Sequence, residues 1–217
     1  MSKLSPDSKV KFYPSLEHTI SFLTGQFDNK PDERRLILNE LSSLIQNKIN
    51  QQIKIELVFI CTHNSRRSHI AQLWAQAAAA YYGVENLISY SGGMETTSFN
   101  PRAIRAMNDI GFRVDKSTEG ENPIYVVSFS EDVVPVFTFS KKYDAESNPK
   151  EKFTAVMTCS DADENCPVVS GAERRISLPY NDPKDFDGTQ EESQRYIDRV
   201  MEIGREILFA FSNIKRI

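Results

Sequence analysis

VFICTHNSRRSH, residues 58–69, decides how the rest of the chain is read. A β-branched and aromatic run ends in Cys61, a short polar loop follows, and Arg67 and Ser68 lead into the alanine-rich AQLWAQAAAA. The whole of IKIELVFICT, 53–62, has the composition of a buried strand. SHIAQLWAQAAAAYYG reads as a helix closed by Gly83. Further along, LISYSGG (87–93) is a second strand and NPRAIRAMNDIGF a second helix ending at Gly111. FTAVMTC (153–159) is another buried strand, RRISLP a short fourth one, and a last helix is expected from about Gln190 to Phe211. Strand, loop, helix, strand is the rhythm of a parallel sheet with helical crossovers. The expected fold is α/β: a parallel four-stranded sheet flanked by helices.

Two regions stand apart from that rhythm. Residues 1–50 form an N-terminal helical extension, with a short helix in YPSLEHTISFLTGQ and a longer one opened by Pro31 in the first-turn position. Ile37, Leu41, Leu44, Ile45 and Ile49 mark one face of the longer helix. That face either packs on the domain or serves as a homodimer or partner surface. Residues 51–217 form the main domain, with an insertion at about 119–152. Within it, NPIYVVSFSEDVVPVFTFSKKY offers two alternating runs around SED, the pattern of an inserted β-hairpin over 123–143. KYDAESNPKEK then reads as an exposed linker.

The chain has 217 residues, 40% of them hydrophobic and 26% charged, with a formal net charge of -4. That balance suits an ordinary soluble domain and argues against nucleic acid or an anionic membrane as the main partner. No run has the length of a transmembrane helix, and the first residues carry no signal-peptide core, so the expected location is cytoplasmic. Three cysteines, at 61, 159 and 166, are too few and too odd for a disulfide framework. They are buried hydrophobes, metal ligands or redox groups; three histidines and no Cys-x2-Cys spacing argue against the metal.

The loop after Cys61 has a chemistry of its own. Its strand delivers the thiol to the carboxyl edge of the sheet, where open α/β sheets bind ligands. The backbone N–H groups of Thr62, His63, Asn64, Ser65, Arg66 and Arg67 can converge on one tetrahedral oxyanion at a helix N-terminus. Arg67 can grip two oxygens with its planar fork. Ser68 can donate toward the sulfur, and the same positive field makes Cys61 a nucleophile.

C-T-H-N-S-R-R-S resembles the active-site loop shared by low-molecular-weight protein tyrosine phosphatases and thioredoxin-coupled arsenate reductases. YSGG (90–93), NPRAIRAM (100–107) and GFRVDKST also look like family sequence, and the resemblance covers roughly 54–118 and 153–210. It implies a phosphatase-like fold, an arsenate- or phosphate-like oxyanion substrate and no cofactor. It also implies that Asp182, in YNDPKD, protonates the leaving oxygen; by itself Asp182 is also a plain turn residue before proline. Cys159 and Cys166, seven positions apart in VMTCSDADENCPV, resemble the redox segment of the arsenate reductases. The implied reaction is reduction of arsenate to arsenite by a Cys61–Cys159–Cys166 relay regenerated by thioredoxin. A tyrosine phosphatase is the alternative, with Phe99 and Tyr180 among its possible aromatic walls. A non-enzymatic oxyanion or redox sensor is a second.

The sequence departs from the family at three places. His63 replaces a usual glycine, so a left-handed backbone is expected at histidine. Arg66 stands where cysteine is common. Asn64 and Ser91 match positions that hold potassium in some relatives, but Gln72 replaces a usual glutamate. His69 is expected to be structural or solvated.

Overall fold

The computed structural model describes residues 10–28, 32–166 and 168–215. The run IELVFIC forms β1, Ile55–Cys61, and it pairs in parallel on both sides. Its neighbours are β2, Leu87–Gly93, and β6, Phe153–Met157; β7, Ala172–Ser177, adds in parallel beyond β6. The four-stranded order β2-β1-β6-β7 is the parallel sheet expected from the sequence. Successive side chains on a strand point to opposite faces. Leu57 and Phe59 therefore enter the large core cluster, whereas Val58 and Ile60 enter a smaller one on the other face. The same alternation on β6 sends Phe153, Ala155 and Met157 to the smaller cluster, and Cys159 continues that row. Ile60 lies opposite Met157, so the chain after β6 delivers Cys159 to the loop that follows β1.

The large core joins the sheet to α3 (Arg67–Tyr82), α4 (Pro101–Asp109) and α6 (Glu192–Ser212). Residue 204 of α6 must be small: a Cβ there would lie 2.4 Å from the Trp74 ring. The glycine lets the helices close until the Trp74 indole N–H reaches Val200 O at 2.9 Å.

The N-terminal helices, α1 (Pro14–Thr24) and α2 (Asp32–Asn50), feed the same core. Leu16, Ile20, Leu23, Leu38, Leu41 and Ile45 are all buried. Of the face read in the sequence, Leu41 and Ile45 are buried and Ile37, Leu44 and Ile49 pack against the core partly buried, while Leu38 joins the buried stripe beside them. Pro31, expected to open this helix, lies outside the described residues.

The inserted hairpin forms: β4, Tyr125–Ser128, pairs antiparallel with β5, Val136–Thr138. It recruits a further strand, β3, Arg113–Lys116, to make a small sheet ordered β3-β4-β5. The segment after it, 142–152, is exposed along most of its length, as expected of a linker, but it is tied to the sheet. Lys141 and Asn148 are buried, because the sheet end at Gly93 bonds to this stretch through Gly93 N to Lys141 O (2.9 Å) and Tyr143 N to Gly93 O (3.0 Å). A short helix, α5 (Ser160–Asn165), follows Cys159, and a 3-10 helix spans Pro183–Phe186. Among the described residues, no helix is long and apolar enough to cross a membrane.

Candidate active site

Cys61 ends β1 with its Sγ 3.1 Å from Ser68 Oγ. Asn64 Nδ2 donates to that same hydroxyl at 2.8 Å, which leaves the Ser68 proton free to point at the sulfur. The amide orientation of Asn64 follows from its other end, where Oδ1 accepts from Lys141 N–H at 2.8 Å. Asn64 is buried and carries the loop's left-handed backbone, with φ 44°. The sequence reading put that conformation at His63; asparagine takes it, being better suited to it than most residues.

The loop is turned inside out by its outward bonds. The carbonyls of Cys61 and Thr62 accept from Met94 N (3.2 Å) and Glu95 N (2.8 Å), and that of Ser65 from Asn100 N (2.9 Å). His63 O accepts from Thr97 Oγ1 (3.1 Å) and Ser140 Oγ (3.0 Å). With these carbonyls facing out, the N–H groups that follow them face the thiol. Among the described residues, none of the N–H groups of Thr62, His63, Asn64, Ser65 or Arg66 donates to a backbone carbonyl. Helix α3 begins at Arg67 with no side-chain cap and no acidic residue in its first turn, so its positive end is left for an anion. Gly93 permits the fit: a Cβ there would stand 2.6 Å from Asn64 N.

Arg67 is buried, and its fork reaches Tyr180 O (3.0 Å, from Nη1) and the Asp182 carboxylate (2.7 Å, from Nη2). Its Nε is buried without a hydrogen-bond partner, a donor available to an oxyanion. Asp182 also caps the 3-10 helix, accepting from Lys184 N at 3.1 Å. A cleft of about 530 Å³ opens here, with Arg67, Asp182, Ser160 and Arg199 in its lining. The Arg66 side chain runs toward α6, where Nε donates to Tyr196 Oη (2.9 Å); Nε also lies 3.9 Å from Asp182 Oδ1, and Nη2 lies 3.6 Å from Asp187. Only its backbone faces the loop. His63 stands at the rim, Nε2 3.4 Å from the Glu95 carboxylate.

Cys159 is fully buried, with Sγ 3.4 Å from Thr62 Oγ1. Its sulfur also accepts from Ala162 N at 3.4 Å, so the thiol is the N-cap of α5. Cys166 lies just past the other end of α5; burial pushes its thiol pKa up, and Arg175 opposes that. All three cysteines are free and belong to one apolar cluster under the loop, with Val58, Ile60, Met157 and Ala162.

Several supporting residues escaped the sequence reading. Ser140, Lys141 and Asn148, all from the insertion, hold the loop and β2 from behind; Asn148 Nδ2 donates to Ser91 O at 3.0 Å. Nothing in FTFSKKY signals this, because the contacts arise only when the insertion folds back. His69 is buried, stacked on Phe99 at 4.3 Å, with Nδ1 bonded to Ser91 Oγ (3.1 Å) and Thr138 Oγ1 (2.8 Å). Phe99, considered as a wall for an aromatic substrate, is buried in the core instead; Tyr180 is buried too but lines the cleft beside Arg67 and Asp182. Potassium fits Asn64 and Ser91 poorly: both side chains are engaged, and the buried Lys141 already places a positive charge near His69. Among the described residues, no cluster of three or more His, Cys, Asp or Glu could hold a metal.

No family model matches the chain. An arsenate reductase of Staphylococcus aureus (strain bovine RF122 / ET3-1) is 31% identical over 163 residues, 75% of this chain and 97% of that protein. An arsenate reductase of Bacillus subtilis (strain 168) is 29% identical over 153 residues, covering 70% and 91%. Among solved structures, a low-molecular-weight phosphotyrosine phosphatase from Vibrio cholerae O395 aligns with a TM-score of 0.47 at 12% identity, over 71% of this chain and 93% of its own.

Proposed function

This chain belongs to the arsenate reductase family, and from that premise we propose that it reduces arsenate to arsenite through Cys61, Cys159 and Cys166. The observation that carries the proposal is the gathering of three free thiols in one cluster beneath an oxyanion loop, with Cys159 against Thr62. An oxyanion-hydrolysing enzyme needs only the first of them.

The reaction runs in three exchanges. Arsenate binds in the loop against the free N–H groups and Arg67. The Cys61 thiolate attacks arsenic, and Asp182 protonates the departing oxygen, which leaves as water. Cys159 then attacks Cys61 Sγ; the electrons of the S–As bond pass to arsenic, arsenite leaves, and a Cys61–Cys159 disulfide remains. Cys166 attacks Cys159 Sγ and frees Cys61, moving the disulfide to Cys159–Cys166. A small dithiol protein of the thioredoxin class returns two electrons and two protons to that pair. Such a cycle belongs in a reducing compartment such as the cytoplasm. A homodimer through residues 1–50 would have to use their outward side chains, such as Phe22 and Leu36, since the inward ones lie in the core.

The test is turnover of arsenate with thioredoxin, run beside hydrolysis of p-nitrophenyl phosphate, for wild type and Cys159→Ser. Cys159→Ser is expected to lose arsenate turnover by at least a thousandfold while retaining any aryl phosphate hydrolysis. A wild-type protein that hydrolyses the aryl phosphate well and leaves arsenate untouched overturns the proposal.

A further inference from the structure

Cys159 and Cys166 cannot join while α5 is wound. The six helical residues between them rise about 9 Å, and bridged cysteines need Cα atoms roughly 4.4–6.8 Å apart. Helix α5 must therefore open between the second and third thiol steps, and whatever holds it closed bears on the relay. It spans six residues and has no basic residue in its last turn. A helix this short has most of its carbonyls unpaired within itself.

Two carbonyls at its C-terminal end, Asp163 O and Cys166 O, are satisfied from outside by one side chain, while Asp161 O accepts from Asn165 Nδ2 at 2.8 Å. Arg175, on the neighbouring strand β7, donates from Nη2 to Asp163 O (2.5 Å) and to Asp163 Oδ1 (2.5 Å), and from Nε to Cys166 O (3.3 Å). Ser177, two residues along the strand and therefore on the same face, donates to Asp163 Oδ2 at 2.6 Å. The guanidinium thus caps the C-terminal end of α5 from another element and supplies the cation its dipole lacks. Both partners of the Arg175–Asp163 pair are partly shielded, with side chains 27% and 23% exposed, so the bond is less screened than one at the open surface.

We propose that Arg175, with Ser177, is a latch that holds the redox helix wound in the reduced protein and sets how readily the Cys159–Cys166 disulfide forms. This rests on the relay reading above. Arg175 touches no substrate and is a positioning residue. Its bonds to Asp163 O and Cys166 O span the last turn, so they cannot both persist when that turn opens. The second exchange loosens the other end as well: once Cys159 Sγ is in a disulfide it is a poorer acceptor for Ala162 N. The latch then remains the main restraint on unwinding.

The experiment uses Cys61→Ser as parent, in which only Cys159 and Cys166 remain as thiols. It is equilibrated with mixtures of glutathione and glutathione disulfide. Two electrons and two protons pass from the cysteine pair to glutathione disulfide, giving two glutathiones and the Cys159–Cys166 bond. Arg175→Met on this parent should favour the disulfide tenfold or more, a potential about 30 mV more negative. Arg175→Lys should restore part of the difference, having the charge without the fork. Asp163→Asn and Ser177→Ala should shift it less, in the same direction, and they carry the test if Arg175→Met does not fold. A merely structural arginine would lower the melting temperature of both redox forms and leave the equilibrium constant unmoved. An unmoved or reversed constant in the folded variants overturns the latch. A parent that forms no Cys159–Cys166 disulfide at any ratio overturns the relay, and the latch with it.

Discussion

Asn64 shows how much one side chain can settle. It takes the left-handed turn of the loop, donates to Ser68 beneath the thiol and accepts from Lys141 N–H of the insertion, so nucleophile and insertion meet through a single amide. His69, five residues on, lies outside this chemistry and is a structural group with a pH signature. Burial, helped by the positive charge of Lys141, pushes its pKa down to about 3, so it stays neutral in the fold. The unfolded chain takes up that proton near pH 6.5. Between those values the unfolded state binds more protons, so stability is full above pH 6.5 and falls as pH drops toward 3. Urea titrations at pH 6.5 and pH 5 should show wild type losing about 2 kcal/mol more than His69→Gln, from a slope of about 1.4 kcal/mol per pH unit. Equal losses would mean that the imidazole titrates normally.

At the scale of elements, helix α2 reaches the site through a buried ion pair. The Arg34 guanidinium grips Glu206 of α6, with Nε to the two carboxylate oxygens at 3.0 and 2.9 Å, and lies 4.6 Å from the centre of the Tyr180 ring. The carbonyl of Tyr180 in turn receives Arg67. Removing one partner of a buried pair leaves an uncompensated charge, at a cost of about 3–5 kcal/mol. Arg34→Met should therefore lower unfolding free energy by about 3 kcal/mol in denaturant titration, and a loss under about 1 kcal/mol would show the pair to be solvated. The hairpin and the parallel strands were legible because period-two alternation and β-branched runs are local signals. The strand Arg113–Lys116 was not, since RVDK has no apolar alternation and pairs only because β4 lies beside it.

For the whole molecule, helices α1 and α2 share the core of the domain. Six buried leucine and isoleucine side chains of α1 and α2 enter the large cluster. At about 1.5–3 kcal/mol each, their removal costs about as much as the 5–15 kcal/mol that holds a typical domain folded. A chain beginning at residue 51 is expected to be insoluble or to lack a cooperative thermal transition, read by circular dichroism and calorimetry. A folded, monomeric product with an unchanged melting temperature would show the helices to be dispensable.

By itself the sequence determined the strand–loop–helix at Cys61, the parallel sheet and the inserted hairpin. Each depends on neighbours within a few residues: side-chain period, turn chemistry and a loop running into a helix. The tertiary structure alone decided which groups meet across long separations. Thr62 against Cys159, Asn64 against Lys141, Arg67 against Asp182 and Arg175 against Asp163 and Cys166 all come from parallel register and chain return. Side-chain period tells a residue which face it occupies, but only the packed sheet sets what stands opposite it.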